Sequence, residues 1–165
     1  MEFQQFVRKN QEFVSRIMSD ISALKNLVHK DFRLGNDNEL LIVQGILAIQ
    51  QVDLSHCQKN LFDTEVCFNE IQAGLHTYNA YLSYIGQILP RYAQQVASLQ
   101  LDISNLSTNI QHQMEESGLT VVTYPQAENQ LSFVETQREI GSYLVLRNLQ
   151  TFMEVTSRAL RHSSA

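Results

Sequence analysis

Between residues 3 and 31 the apolar side chains Phe6, Val7, Val14, Ile17, Ile21, Leu24 and Val28 recur mostly in steps of three and four. That spacing gathers them on one face of an amphipathic helix. Neither Pro nor Gly interrupts the segment, and at about 1.5 Å per residue the helix is roughly 40 Å long. Gly35-Asn36-Asp37-Asn38 is a stop signal. Residues 39–50 fit a short helix inside a long connection. A second long helix is predicted over 64–89, with Asp63 or Thr64 as N-cap and Ile71, Leu75, Tyr78, Leu82, Ile85 and Leu89 inward, and Pro90 ends it. The third, over 92–117, turns Val96, Leu99, Ile103, Leu106, Ile110 and Met114 inward, with Gly118 as its C-cap. Residues 119–131 hold Pro125 and β-branched residues and read as a second long connection. The last helix, over 133–162, carries Ile140, Leu144, Leu149, Phe152, Met153, Thr156 and Leu160.

Four long helices are thus joined by long, short and long connections. A short link forces its two helices antiparallel, and a connection of roughly 30 residues can run the length of a bundle. The expectation is an all-α, long-chain four-helix bundle, up-up-down-down with two long crossover loops, in one domain spanning 1–165. An up-down-up-down bundle with wandering loops fits the lengths as well. Six glycines and two prolines are few for a sandwich or barrel, and 44% hydrophobic residues are enough for a sizeable core. The net charge of −5 argues against nucleic acid or an anionic membrane as partner, since both need a basic face. No apolar run approaches the roughly 20 residues of a membrane span, so no membrane insertion is expected. The start, Met1-Glu2-Phe3-Gln4-Gln5-Phe6, has no basic or apolar leader region. It suits an intracellular chain, or a mature form with an initiator Met.

Candidate chemistry narrows the class. Cys57 and Cys67 have neither zinc nor redox spacing, and on spacing alone they could form one disulfide or remain two free thiols. Inward di-metal sites in bundles use Glu-x-x-His pairs. None of the five histidines has a Glu three residues before it, and Asp53-x-x-His56 is the nearest approach. There is no phosphate-cradling loop and no nucleophile elbow. Glu115 and Glu116, adjacent at a helix end, read as solvated. No catalysis, cofactor, metal or small-molecule substrate is expected, and binding is the better class. The residues off the core stripes then matter. Lys9, Glu12 and Arg16 share a face of the first helix more than about 100° from its apolar stripe. Leu101 points almost opposite the core of the third helix, beside Asp102 and Asn105, which share one side. Their ordinary reading is a solvated, salt-bridged face on the first helix and a lone exposed Leu on the third.

Several separated segments resemble one cytokine family. Leu99-Gln100-Leu101-Asp102 and Asn109-Ile110-Gln111-His112-Gln113-Met114-Glu115-Glu116-Ser117-Gly118 are similar to helix C of the granulocyte colony-stimulating factor family, within the interleukin-6 superfamily. They are closer still to its avian myelomonocytic growth factor branch. Leu149-Gln150-Thr151-Phe152-Met153-Glu154 and Arg158-Ala159-Leu160-Arg161-His162 resemble its helix D. Glu65-Val66-Cys67-Phe68 and Ala73-Gly74-Leu75-His76-Thr77-Tyr78 resemble its helix B. The likeness covers nearly the whole chain and is weakest over 45–60 and 119–136.

The resemblance implies a secreted haematopoietic growth factor without catalysis. Such a factor engages a class I cytokine receptor, in a 2:2 complex, to drive myeloid proliferation and differentiation. It implies a first receptor surface at Lys9, Glu12, Arg16, Leu101, Asp102 and Asn105, the residues already isolated by periodicity. It implies a second surface at Glu39 and Ile42, with Thr136 where the family has an aromatic residue and Phe133 nearby as a substitute. It pairs Cys57 with Cys67. The family's other disulfide would fall at His29 and Gly35, neither of which is Cys, so a looser loop start is expected. Asn10 stands where some members have a free Cys. Asn105-Leu106-Ser107 is an N-glycosylation sequon on the first surface, so either the active form carries Asn105 unmodified or the interface is shifted. The rival readings are an intracellular helical scaffold or adaptor, which the ordered matches do not favour, and an engineered member of the family.

Overall fold

α1 (Glu2–Phe32), α2 (Asp37–Leu47), α3 (Thr64–Ile88), α4 (Ala93–Glu116) and α5 (Arg138–Ser163) follow one another along the chain. The structure, a computed structural model, describes residues 2–47, 49, 52, 54–122, 133 and 137–163. The apolar stripes form the core. Val14, Ile17, Ile21 and Val28 of α1, Ile71, Leu75 and Leu82 of α3, Ile103, Leu106 and Ile110 of α4, and Leu144, Leu149 and Leu160 of α5 are all essentially inaccessible.

Polar contacts set the directions. On α1, Lys25 Nζ donates to Gln150 Oε1 at 2.7 Å and Gln11 Nε2 donates to the Ser157 carbonyl at 3.5 Å, so α5 runs antiparallel to α1. Asn109 Nδ2 donates to Asn10 Oδ1 at 3.1 Å, and at the other end of the same pair Leu24 and Leu27 face Gln94 and Leu99 across a groove. α4 is therefore also antiparallel to α1. Gln72 Nε2 donates to the Ser107 carbonyl at 2.9 Å and Gln100 Nε2 to the Asn79 carbonyl at 3.2 Å, which makes α3 and α4 antiparallel. α1 and α3 hence run one way and α4 and α5 the other, the up-up-down-down arrangement.

The helix ends follow local chemistry, with one shift. Asp63 rather than Thr64 caps α3, its Oδ1 accepting from Val66 N at 3.1 Å. Gly118 has φ +72° and closes α4, with Leu119 N donating to Met114 O at 2.8 Å and Gly118 N to Glu115 O at 3.2 Å. α1 ends at Phe32, one residue past the expected 31, and the turn that follows is made before Gly35. Arg33 has φ +52°, with Leu34 N donating to His29 O at 3.1 Å and Arg33 N to Lys30 O at 3.4 Å. The left-handed conformation is strained for a side chain and free for glycine. Arg33→Gly is therefore expected to raise the unfolding free energy by about 1 kcal/mol, read as a higher urea midpoint at unchanged m. A lower midpoint would mean that the Arg33 side chain stabilises this turn.

α5 begins at Arg138 rather than 133, and Gly141 through Leu146 are all buried. Six consecutive buried residues exceed any helical stripe. They arise because this turn of α5 lies beneath the crossovers: α2 packs on α5, the Phe133 ring fills the space above Gly141, and the His29 ring meets Tyr143 at 5.3 Å.

Between α3 and α4, Tyr92 is 1% exposed, and its hydroxyl donates to Asp31 Oδ2 at 2.6 Å. Arg91 Nη2 reaches the same oxygen at 3.3 Å. Burial first, then the hydrogen bond to Asp31 and its charge, push the phenol from 10.0 up to about 12. The folded state thus holds this proton where the unfolded chain releases it. The stabilisation is fully present below pH 10 and is lost as pH rises toward 12, at about 1.4 kcal/mol per pH unit. Urea unfolding at pH 9, 10 and 11 should show this fall, and Tyr92→Phe should make it shallower. Tyr78, also raised to about 12 mainly by burial, adds a fall of its own over the same range. An equal slope in the variant would rule Tyr92 out.

Candidate functional site

Lys9, Glu12 and Arg16 are all exposed on α1. At about 100° per residue they lie within an arc of roughly 60°. The Arg16 guanidinium sits over the Phe13 ring at 4.7 Å, which steadies a long side chain on the surface. On α4, Leu101 is 62% exposed, Asn105 is exposed and Asp102 is half-buried. Their helix-mates Leu99, Ile103 and Leu106 fill the core, and Leu101 stands outside that stripe.

The antiparallel register brings the two triplets together. Asn10 is bonded to Asn109. Stepping forward along α1 reaches Glu12 and Arg16, and stepping back along α4 reaches Asn105 and Leu101. All six residues therefore belong to one α1/α4 face. Among the described residues none of the six is in an ion pair, so the face is not the salt-bridged surface that its composition first suggests. Farther along the same helix pair lies an open groove of about 520 Å³, lined by Asp20, Leu24, Leu27, Gln94, Ser98 and Leu99.

At the second set of positions, Glu39 lies in the first turn of α2, and Ile42 is 69% exposed on the same helix. Thr136 lies outside the described residues. Phe133 corrects the expectation that it offers an aromatic contact. It is 5% exposed, its N–H donates to the Tyr84 hydroxyl at 2.8 Å, and its ring stands 5.6 Å from that of Tyr84. A Cβ at Gly141 would come within 2.5 Å of the ring. Phe133 is held inside the fold by a glycine that makes room for it.

The loop before α3 is pinned twice. Cys57 and Cys67 form a disulfide, with both residues buried. One residue before Cys57, His56 Nδ1 meets Glu70 Oε1 at 2.7 Å, and its backbone N donates to the same oxygen at 3.1 Å. At the end of α1, where no cysteine stands, the ring Nε2 of His29 meets the Gly35 carbonyl at 3.1 Å across the same span.

The family model for granulocyte colony-stimulating factor matches residues 14–161. The chain belongs to this family. Chicken (Gallus gallus) myelomonocytic growth factor is 41% identical over 164 residues, which cover 98% of this chain and 82% of that protein. Cat (Felis catus) granulocyte colony-stimulating factor is 34% identical over 160 residues, covering 96% and 82%. The human (Homo sapiens) factor is 31% identical over 163 residues, covering 96% and 79%. As a member of the granulocyte colony-stimulating factor family, the chain is a haematopoietic cytokine and not an enzyme.

Two polar pairs that orient the α1/α4 face in this family member escaped the sequence reading. Asn10 is 1% exposed; its Nδ2 donates to the Phe6 carbonyl at 2.8 Å while its Oδ1 accepts from Asn109. On the other flank of α4, Ser107 Oγ donates to Gln72 Oε1 at 2.9 Å, and Gln72 Nε2 donates back to the Ser107 carbonyl at 2.9 Å. These pairs fix the rotation of α4, and with it the direction of Leu101 and Asn105. A signal was present for the first: Asn10 falls on the apolar stripe between Val7 and Val14. Buried polar side chains need partners, so a polar residue there implies one on a facing helix.

Proposed function

We propose that residues 1–165 act as one four-helix cytokine domain, secreted, which binds a class I cytokine receptor and draws two receptor chains into a 2:2 complex that drives myeloid proliferation and differentiation. The observation that carries this reading is the α1/α4 face. Six side chains at the positions implied by the family stand on two adjacent helices, outside the core and free of ion pairs among the described residues. Glu12 and Asp102 present carboxylates to receptor arginines, whose planar forks make charge-assisted paired bonds. Leu101 is the apolar centre that loses water on docking, and Lys9, Arg16 and Asn105 form the polar rim around it. Asn105 is unmodified in the active form.

The second surface comprises Glu39 and Ile42 on α2 together with Thr136, and it meets an immunoglobulin-like domain of the other receptor chain. Phe133 enters only as buried support. Light scattering of the protein mixed with a soluble receptor ectodomain of this family tests both surfaces. A 2:2 mass is expected. Ile42→Glu is expected to leave a 1:1 complex, with the unfolding midpoint unchanged because Ile42 buries little on folding. A 2:2 mass for that variant removes Ile42 from the second surface. No binding by the folded parent protein removes the receptor reading and reopens the scaffold reading.

A further inference from the structure

We infer that Asn105 accepts an N-linked glycan only while the chain is unfolded, and that a glycan fixed there switches off the first receptor surface of a ligand that is otherwise normally folded. The second half rests on the receptor reading above; the first half does not.

Asn105-Leu106-Ser107 is the only Asn-x-Ser/Thr triplet in the chain. In the reaction the Asn105 amide nitrogen bonds to C1 of the sugar of a lipid-linked oligosaccharide. The bond from C1 to the phosphate oxygen breaks, the lipid diphosphate leaves, and one amide proton passes to a base of the transferase. Nothing is oxidised or reduced. To reach the transferase, the triplet must leave the helix and offer the serine hydroxyl.

The folded protein holds each of the three residues differently. Asn105 is exposed, Leu106 is fully buried in the core, and the Ser107 hydroxyl is bonded to Gln72 Oε1 at 2.9 Å. The Ser107 carbonyl is engaged by Gln72 Nε2 as well. All three lie in the middle of the 24-residue α4. Drawing them into an extended segment would expose Leu106, break the reciprocal Gln72–Ser107 pair and open the helix ladder around them. Folding therefore closes the acceptor site. It does not conflict with a glycan already attached, because the Asn105 side chain points to solvent. That side chain stands within the α1/α4 face beside Leu101 and Asp102, so an attached glycan covers the area where the receptor must dock. Occupancy becomes a race between folding and transfer, and it sets the share of competent ligand.

Two experiments test this on the full chain. In the first, folded protein made in bacteria is incubated with microsomes that supply the transferase and lipid-linked oligosaccharide, beside the same protein freshly diluted from urea. The added mass of a glycan at Asn105 is expected only in the diluted sample. Equal modification of the two, or none in either, overturns the first half. In the second, protein secreted from eukaryotic cells is resolved by intact mass into glycosylated and bare fractions, and each is bound to the receptor ectodomain. The glycosylated fraction is expected to melt at the same temperature and to bind more weakly by about tenfold or more. Binding should recover when the glycan is cleaved enzymatically. Ser107→Ala should be secreted wholly bare, and Ser107→Thr, which keeps the triplet, should not. Equal binding by the two fractions overturns the second half. Failure of the bare fraction to bind overturns the receptor reading, and the second half with it, while the microsome result still judges the first.

Discussion

Glu12→Ala is expected to weaken receptor binding by about 2 kcal/mol, some 30-fold in Kd, while moving the unfolding free energy by no more than about 0.5 kcal/mol. The two numbers separate because of where Glu12 stands. It is exposed on α1, in no ion pair among the described residues, and remote from the stripe that fills the core. The fold loses only solvated methylenes when it is truncated. A docked receptor loses more, since an arginine that was to be desolvated against a carboxylate is left without its partner. Titrating the variant against receptor ectodomain, with urea unfolding in parallel, reads both quantities. Unchanged affinity would take Glu12 out of the interface. Lost affinity together with a collapsed unfolding midpoint would make it a structural residue.

Replacing Cys57 and Cys67 together by Ala should lower the unfolding free energy by about 3 kcal/mol, a fall of several degrees in Tm for a chain of this size. The bond closes a loop of sequence separation 10, and most of its effect is the freedom it removes from the unfolded chain. Both residues are buried in the core, so the substitution also leaves small gaps there. Receptor binding through the α1/α4 face should persist. The loop stays anchored to α3 by His56 on Glu70, and the disulfide lies on no helix of that face. An unchanged urea midpoint would mean that the bond constrains nothing the fold does not already constrain. Loss of receptor binding at full helicity would tie the loop to the interface.

Much of the architecture was legible beforehand for a plain reason. Helical periodicity is local, and a stripe of Val, Ile and Leu at steps of three and four has one way to leave water. The α3 and α4 stripes are buried position for position. Caps follow from single residues: Asp63 because its carboxylate reaches an unpaired N–H, Gly118 because φ +72° costs it nothing. The errors fell where neighbours far along the chain compete. The end of α1 at Phe32 agrees with the expected 31, but the left-handed residue that turns the chain is Arg33 and not the glycine two positions on. Phe133 looked like an exposed aromatic at a helix start and is instead wedged above Gly141.

The candidate site divides along the same line. From the order of its residues alone, the chain determined four amphipathic helices, the faces they bury, the side chains left over on α1 and α4, and its membership of a cytokine family. Those properties depend on spacing along one chain segment, which sequence records directly. Only the tertiary structure decided that α1 and α4 lie side by side and antiparallel, so that Glu12 and Arg16 share a face with Leu101 and Asn105. It alone joined Asn10 to Asn109 and Ser107 to Gln72, and cleared Gly74 for the Phe152 ring. Such pairings between helices join residues up to 146 positions apart. They are chosen by how well whole helix surfaces interlock and satisfy buried polar groups, a property of two surfaces at once that neither segment carries by itself.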